Sequence, residues 1–146
     1  MNAIMLSLRV TASDGSTRVS SGRRHFTIGR PVEFDEASPH VAAIEYALGA
    51  IGGELVNGLR EFARRRRMVI DAVEALVTGE LVNGLTYLEV IGERGTPALS
   101  RVAIKVFLST PDEGAQAVFD DMVTRLPLVN TLRKTVDLHI ELVLKT

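Results

Sequence analysis

The chain has 146 residues, of which 46% are hydrophobic and 24% charged, and this length and composition predict one globular domain over residues 1–146. Its 17 lysine and arginine residues nearly balance its 18 aspartate and glutamate residues, which argues against a nucleic-acid-binding surface. The absence of cysteine excludes disulfides, zinc ribbons, iron–sulfur clusters and thiol nucleophiles.

The N-terminal region is predicted to form short strands. Every second residue near the start is apolar: Ile4, Leu6, Leu8 and Val10. This period of two is typical of a strand with one buried face. Asp14-Gly15 then predicts a hairpin turn, and the segment 17–28 predicts one or two further strands that end before Pro31. The first ten residues contain only one basic residue and no long apolar run, so we expect a soluble cytoplasmic protein without membrane contact.

The longest predicted helix runs from His40 to about Arg67. Its apolar residues recur every three or four positions: Ile44, Leu48, Ile51, Leu55, Leu59 and Phe62. Ser38-Pro39 predicts the N-terminal cap, and the four arginines at 64–67 suit the negative end of the helix dipole. Small and apolar residues cover the other sides, so the first half should be buried on most sides. The helical glycines, Gly52 and Gly58 among them, predict close helix packing across a dimer.

A sheet is predicted to follow this helix. The segment 69–77 indicates a strand, Asn83-Gly84 is a hairpin signal, and Leu85 to Ile91 would form the partner strand. A third strand is predicted where apolar residues alternate between 101 and 108.

The C-terminal region is predicted to contain two helical pieces and a last strand. Thr110 to Glu113 forms a capping-box pattern that would open a helix through about Thr124. Its predicted core face consists of Ala117, Val118 and Met122. Pro127 would break this helix, a short piece would continue to Arg133, and alternation over 136–144 indicates a strand. The element order predicts a mixed α+β fold with an antiparallel sheet.

Three segments resemble the OsmC/Ohr family of organic-hydroperoxide reductases. They are Glu45-Tyr46-Ala47-Leu48-Gly49-Ala50-Ile51-Gly52-Gly53-Glu54, the stretch from Leu55 through the basic run to Asp71-Ala72-Val73-Glu74, and Leu126-Pro127-Leu128-Val129-Asn130-Thr131-Leu132. The resemblance implies an OsmC-like α+β fold with antiparallel sheets, a long buried central helix, a second C-terminal helix and an intertwined homodimer.

The departures from that family concern its reactive residues. The position of its peroxidatic cysteine is occupied by Glu54, and that of its resolving cysteine by Leu126. Peroxide reduction needs a thiolate to attack the O–O bond and a second thiol to close the disulfide, so this chain should not be a thiol peroxidase. The family's active-site arginine corresponds to Arg23 or Arg24, and its helix glutamate to Glu45.

Glu54 has three interpretations. The resemblance implies a buried position near a dimer interface, where a carboxylate would belong to a functional site. Its helical spacing with Asn57, Glu61 and Arg65 also fits a structural ion pair or an exposed polar face. Leu126 is expected in the core, or else in the wall of a ligand pocket.

The leading hypothesis is a cysteine-free OsmC-like homodimer that binds a small, partly apolar molecule beside Glu54, Leu126, Glu45 and Arg23 or Arg24. One alternative is an enzyme that uses Glu54 as a general acid or base. Another is a purely structural role within a stress-related hydroperoxide-resistance family. His25, His40 and His139 have no metal-ligand spacing, and neither a metal nor a cofactor is implied.

Overall fold

The computed structural model describes residues 2–13, 15–30 and 39–145, in two compact units that divide between Ala47 and Leu48. Three positions used in the sequence predictions, Asp14, Pro31 and Ser38, lie outside the described residues. Each unit is described by itself.

The N-terminal unit contains a three-stranded antiparallel sheet. Its strands are β1 (Arg9–Ser13), β2 (Ser16–Ser21) and β3 (Arg24–Ile28), in that spatial order. The predicted strand from Ile4 is wrong in its start, because residues 2–8 form no strand and are exposed. Alternating apolar residues mark a strand only where another chain segment covers one face, and the described residues of this unit do not cover them.

The long helix α1 spans Ala43–Arg65, inside the predicted range. Pro39 precedes its first turn, and the main-chain N–H of Ala42 instead donates to Glu45 Oε1 at 3.1 Å. In the single chain the helix is buried along one face, not on most sides. That face consists of Ile51, Gly52, Leu55, Leu59 and Ala63. The small residues Ala47 and Ala50 are exposed.

The C-terminal unit contains a second three-stranded sheet. Its strands are β4 (Ala72–Val82), β5 (Ala98–Ser109) and β6 (Asp137–Lys145). β5 lies between the other two, antiparallel to β4 and parallel to β6, so the prediction of a purely antiparallel sheet is wrong for this pair. The alternation of apolar and polar residues does not show whether two strands run parallel or antiparallel. Here the helices between β5 and β6 supply the crossover connection that a parallel pair needs.

The predicted hairpin at Asn83-Gly84 is also wrong. Asn83 has a positive φ of 55°, but a short helix, α2 (Gly84–Tyr87), follows it instead of a strand. The side chain of Asn83 donates to the carbonyl of Thr96 at 2.9 Å, which ties the two ends of the connection together. The type I′ turn that Asn-Gly favours needs positive φ at both central positions, and Gly84 does not have it.

Two helices lie between β5 and β6. They are α3 (Ala115–Val123) and α4 (Pro127–Leu132). The predicted capping box at Thr110 does not form, because α3 starts later and the Thr110 hydroxyl accepts from the N–H of Asp112 at 3.1 Å. The buried face of α3 is Ala115, Phe119 and Met122. Met122 was therefore predicted correctly, whereas Val118 is half-buried and Ala117 is exposed.

The core of the C-terminal unit lies between one face of the sheet and the helices. Its buried members come from α1, β5, α3, α4 and the residue before α4: Ile51, Leu55, Leu59, Val102, Ile104, Val106, Leu108, Ala115, Phe119, Met122, Leu126 and Val129. No helix in the described part of the chain is long and apolar enough to cross a membrane.

Two helical glycines allow α1 to approach this core closely. A Cβ at Gly52 would lie 2.7 Å from Val77 Cγ2, and one at Gly58 would lie 2.9 Å from Leu126 Cδ2. The close packing predicted for these glycines is therefore made within one chain, against β4 and the start of α4. Around Gly53, by contrast, a Cβ would meet nothing within 4 Å.

Candidate functional site

The start of α4 lacks a capping residue of its own. Leu126 occupies the N-cap position with an extended backbone and no side-chain hydrogen bond, and Pro127 follows at the first helical position. A helix leaves its first N–H groups without intrahelical partners, and a leucine side chain cannot accept from them. The N–H groups of Leu128 and Val129 therefore need an acceptor from elsewhere in the chain.

Glu54 supplies that acceptor from α1. Its Oε2 accepts from the N–H of Leu128 at 3.0 Å, and its Oε1 accepts from the N–H of Val129 at 3.1 Å. A carboxylate at a helix N-terminus also interacts favourably with the helix dipole. Glu54 thus connects α1 to the first turn of α4 with one bond per carboxylate oxygen.

Leu126 and Val129 are the buried part of this connection. Leu126 is 6% exposed and Val129 is fully buried, and both belong to the hydrophobic core. The prediction that Leu126 lies in the core is confirmed. Its side chain packs against Gly58, one helical turn after Glu54, so positions 54 and 126 share one region of the α1–α4 contact.

The other three predicted site residues belong to the N-terminal unit. Arg23 lies in the turn between β2 and β3, and Arg24 is the first residue of β3; both are exposed. Glu45 lies in the first turn of α1, where it accepts from the N–H of Ala42 as described above. Within the C-terminal unit, Glu54 and Leu126 lie close together. That all five predicted residues form one site remains a prediction.

Neither the histidines nor the acidic residues form a metal site in the described residues. His139 lies on β6, where its Nε2 is 2.8 Å from Asp137 Oδ1 and both side chains are largely exposed. This is a surface pair within one strand.

Sequence reasoning missed the groups that hold Glu54. They are main-chain N–H groups 74 and 75 residues further along the chain, and no spacing rule connects a helix residue to them. One local signal was available: an apolar residue before Pro127, at a helix start, indicates a helix without a capping side chain.

Comparison with solved structures identifies the fold. An OsmC-like protein from Mycoplasma pneumoniae superposes with a TM-score of 0.78 at 15% identity, over 98% of this chain and 99% of that chain. An organic hydroperoxide resistance protein from Elizabethkingia anophelis gives 0.66 at 13% identity, over 99% of both chains.

A third structure, the organic hydroperoxide resistance protein OhrB of Bacillus subtilis, gives a TM-score of 0.60 at 16% identity over 96% of this chain and 98% of that chain. No protein-family model matches the sequence, and a comparison with curated proteins finds no match either. The structural likeness covers almost the whole chain, and it confirms the predicted resemblance at the level of fold. The chain has the OsmC/Ohr fold in a version without cysteine.

Proposed function

We propose that the protein is a cysteine-free member of the OsmC/Ohr family that binds a small, partly apolar molecule where two copies meet and has no thiol peroxidase activity. The observation that carries this proposal is the pair of hydrogen bonds from α4 to Glu54, at the position the family resemblance gives to the peroxidatic thiol. The two helices are in contact there, and a carboxylate stands at the position that the resemblance gives to the nucleophile.

The surroundings of Glu54 suit a ligand with a polar group and an apolar body. Glu54 is half-buried, and Leu128 beside it keeps 39% of its surface exposed. Small-molecule sites combine a few placed polar groups with apolar walls. Both carboxylate oxygens already accept from α4, so we favour binding over acid–base catalysis by Glu54.

The first test is turnover of cumene hydroperoxide with a dithiol reductant. Because no thiolate is available to attack the O–O bond, the rate should equal that of the heat-denatured protein. Native mass spectrometry of the purified protein should show a bound small molecule, and Glu54→Gln should lower its occupancy. Hydroperoxide turnover above the denatured control would contradict the absence of peroxidase activity, and a ligand-free spectrum would contradict binding.

A homodimer is supported by the exposed N-terminal segment. Ile4, Met5 and Leu6 are 87%, 90% and 88% exposed, although large apolar side chains gain free energy when they are covered. The family resemblance implies a second copy of this chain as the cover.

Sedimentation measures this directly. The natural chain should sediment as a dimer, and the triple change Ile4→Ser, Leu6→Ser and Leu8→Ser should shift it toward the monomer, because the covered apolar area is lost. Ser7→Ala, in the same segment, is the matched control and should leave the dimer intact. A monomeric natural chain, or a triple variant that stays dimeric, would contradict the proposed interface.

A further inference from the structure

A groove of about 440 Å³ opens at the C-terminal end of α1, where the chain turns into β4. Its lining residues are Arg60, Ala63, Arg64, Met68, Ile70, Asp71, Ala72 and Val73. None of them takes part in the Glu54 contacts. The volume lies within the range of small-molecule sites, which is roughly 300–1,000 Å³.

We propose that this groove binds a small apolar monocarboxylate, with Arg60 as the partner of its carboxylate group. This site is separate from the one proposed at Glu54 and does not depend on it.

The floor of the groove is apolar. Ala63 is buried, and Met68, Ile70 and Val73 are half-buried, so each of the last three keeps apolar surface that a ligand can cover. An unbranched hydrocarbon chain can adapt to such a surface, and methionine adapts to it as well because its side chain is flexible. Burying the chain would supply the apolar part of the binding free energy.

Of the two arginines that line the groove, Arg64 has a carboxylate partner and Arg60 has none among the described residues. Arg64 donates to both carboxylate oxygens of Glu61, at 2.7 and 3.1 Å. The Arg64 hydrogen bonds, followed by its charge and the hydrogen bond of Arg65, lower the pKa of Glu61 to about 2, so Glu61 stays ionised at neutral pH. Among the described residues, the guanidinium of Arg60 has no hydrogen bond or ion pair.

At Arg60 the helix dipole opposes an anion less than it does at Arg64, which lies in the last turn of α1. The negative end of α1 acts mainly within the last turn, and Arg60 precedes that turn. A guanidinium binds a carboxylate through two parallel N–H donors, which favours a carboxylate over a neutral polar group.

Asp71 limits the ligand to one negative charge. It lines the groove just before β4, and its carboxylate has no partner among the described residues. A second carboxylate on the ligand would meet this like charge. The groove should therefore prefer octanoate to suberate, the dicarboxylate of the same length.

The test is titration of the ¹⁵N-labelled full chain with octanoate and with suberate, followed by amide chemical shifts. Octanoate should shift the amides of Met68, Ile70 and Val73 in a saturable way. Arg60→Gln should weaken octanoate binding by about three- to fivefold, as expected for loss of an ion pair at an exposed arginine. Arg67→Gln is the matched control, because Arg67 is exposed and lies outside the groove lining, and it should change binding by less than about twofold.

A third variant removes the charge of Asp71 and leaves the size of its side chain nearly unchanged. Asp71→Asn should strengthen suberate binding by about threefold or more, with little effect on octanoate, because only suberate brings a second charge to that residue. The proposal is overturned if octanoate shifts no groove amide, if Arg60→Gln and Arg67→Gln behave alike, or if Asp71→Asn leaves suberate binding unchanged. Shifts at Leu128 and Val129 alone would support the Glu54 site and overturn the groove.

Discussion

Replacing Glu54 with glutamine should lower the free energy of unfolding by about 1–3 kcal/mol. Each oxygen of Glu54 accepts one main-chain N–H from the start of α4. Glutamine offers one oxygen and an NH₂ group, so the N–H of either Leu128 or Val129 would face another donor. The substitution also removes a negative charge that stabilises the N-terminus of α4 through the helix dipole. Urea unfolding measures the change.

The same variant has a local signature that a general loss of packing would not produce. The amide protons of Leu128 and Val129 should exchange with solvent faster in Glu54→Gln, while amides in the middle of β5 should change only as much as global stability does. This contrast is measurable by hydrogen exchange followed by NMR.

Glu61→Gln is the control for the loss of a carboxylate from α1. Glu61 pairs with Arg64 and Arg65 on an exposed surface, and such pairs contribute little. It should change stability by less than about 0.5 kcal/mol. Equal effects of the two variants, or unchanged exchange at Leu128 and Val129, would contradict the capping role of Glu54.

The parts of the fold that the sequence predicted are those set by burial on one face. The helical stripe that contains Ile51, Leu55 and Leu59 is the buried face of α1. The alternating residues of β5, such as Val102 and Ile104, are buried as predicted. These patterns are local, because each side chain responds to the side of its own element that faces the core.

Two of the failed predictions share a different cause, which is competition from distant groups. Asn83 carries a hairpin signal, but its amide donates to Thr96 and a helix follows. Thr110 resembles a capping residue, yet its hydroxyl donates to the carbonyl of Val69 and accepts from Asp112. In each case the predicted polar group is present and a tertiary partner takes it.

One feature of the candidate site was predictable from the sequence and another was not. The resemblance selected positions 54 and 126 as a pair, and the structure brings them into one region of the α1–α4 contact. It could not show that Glu54 would cap α4, because that role depends on two main-chain groups at the far end of the chain.

The second large effect is expected from introducing two thiols, through Glu54→Cys combined with Leu126→Cys. The Leu126 side chain packs at Gly58, and the Glu54 side chain reaches the residues just after Leu126. Thiols at these positions should therefore approach each other and close a disulfide when a thiolate is oxidised to a sulfenic acid. Each single-cysteine variant lacks a partner thiol and serves as the control.

The central claim is our proposal that Glu54 and Leu126 stand at the two thiol positions of an OsmC-type site. The most direct measurement is the number of free thiols in the folded double variant before and after one equivalent of cumene hydroperoxide. The account predicts a fall from about two thiols per chain to about none, with the disulfide inside one chain on a non-reducing gel. Two thiols that remain free, or disulfides formed only between chains, would contradict it.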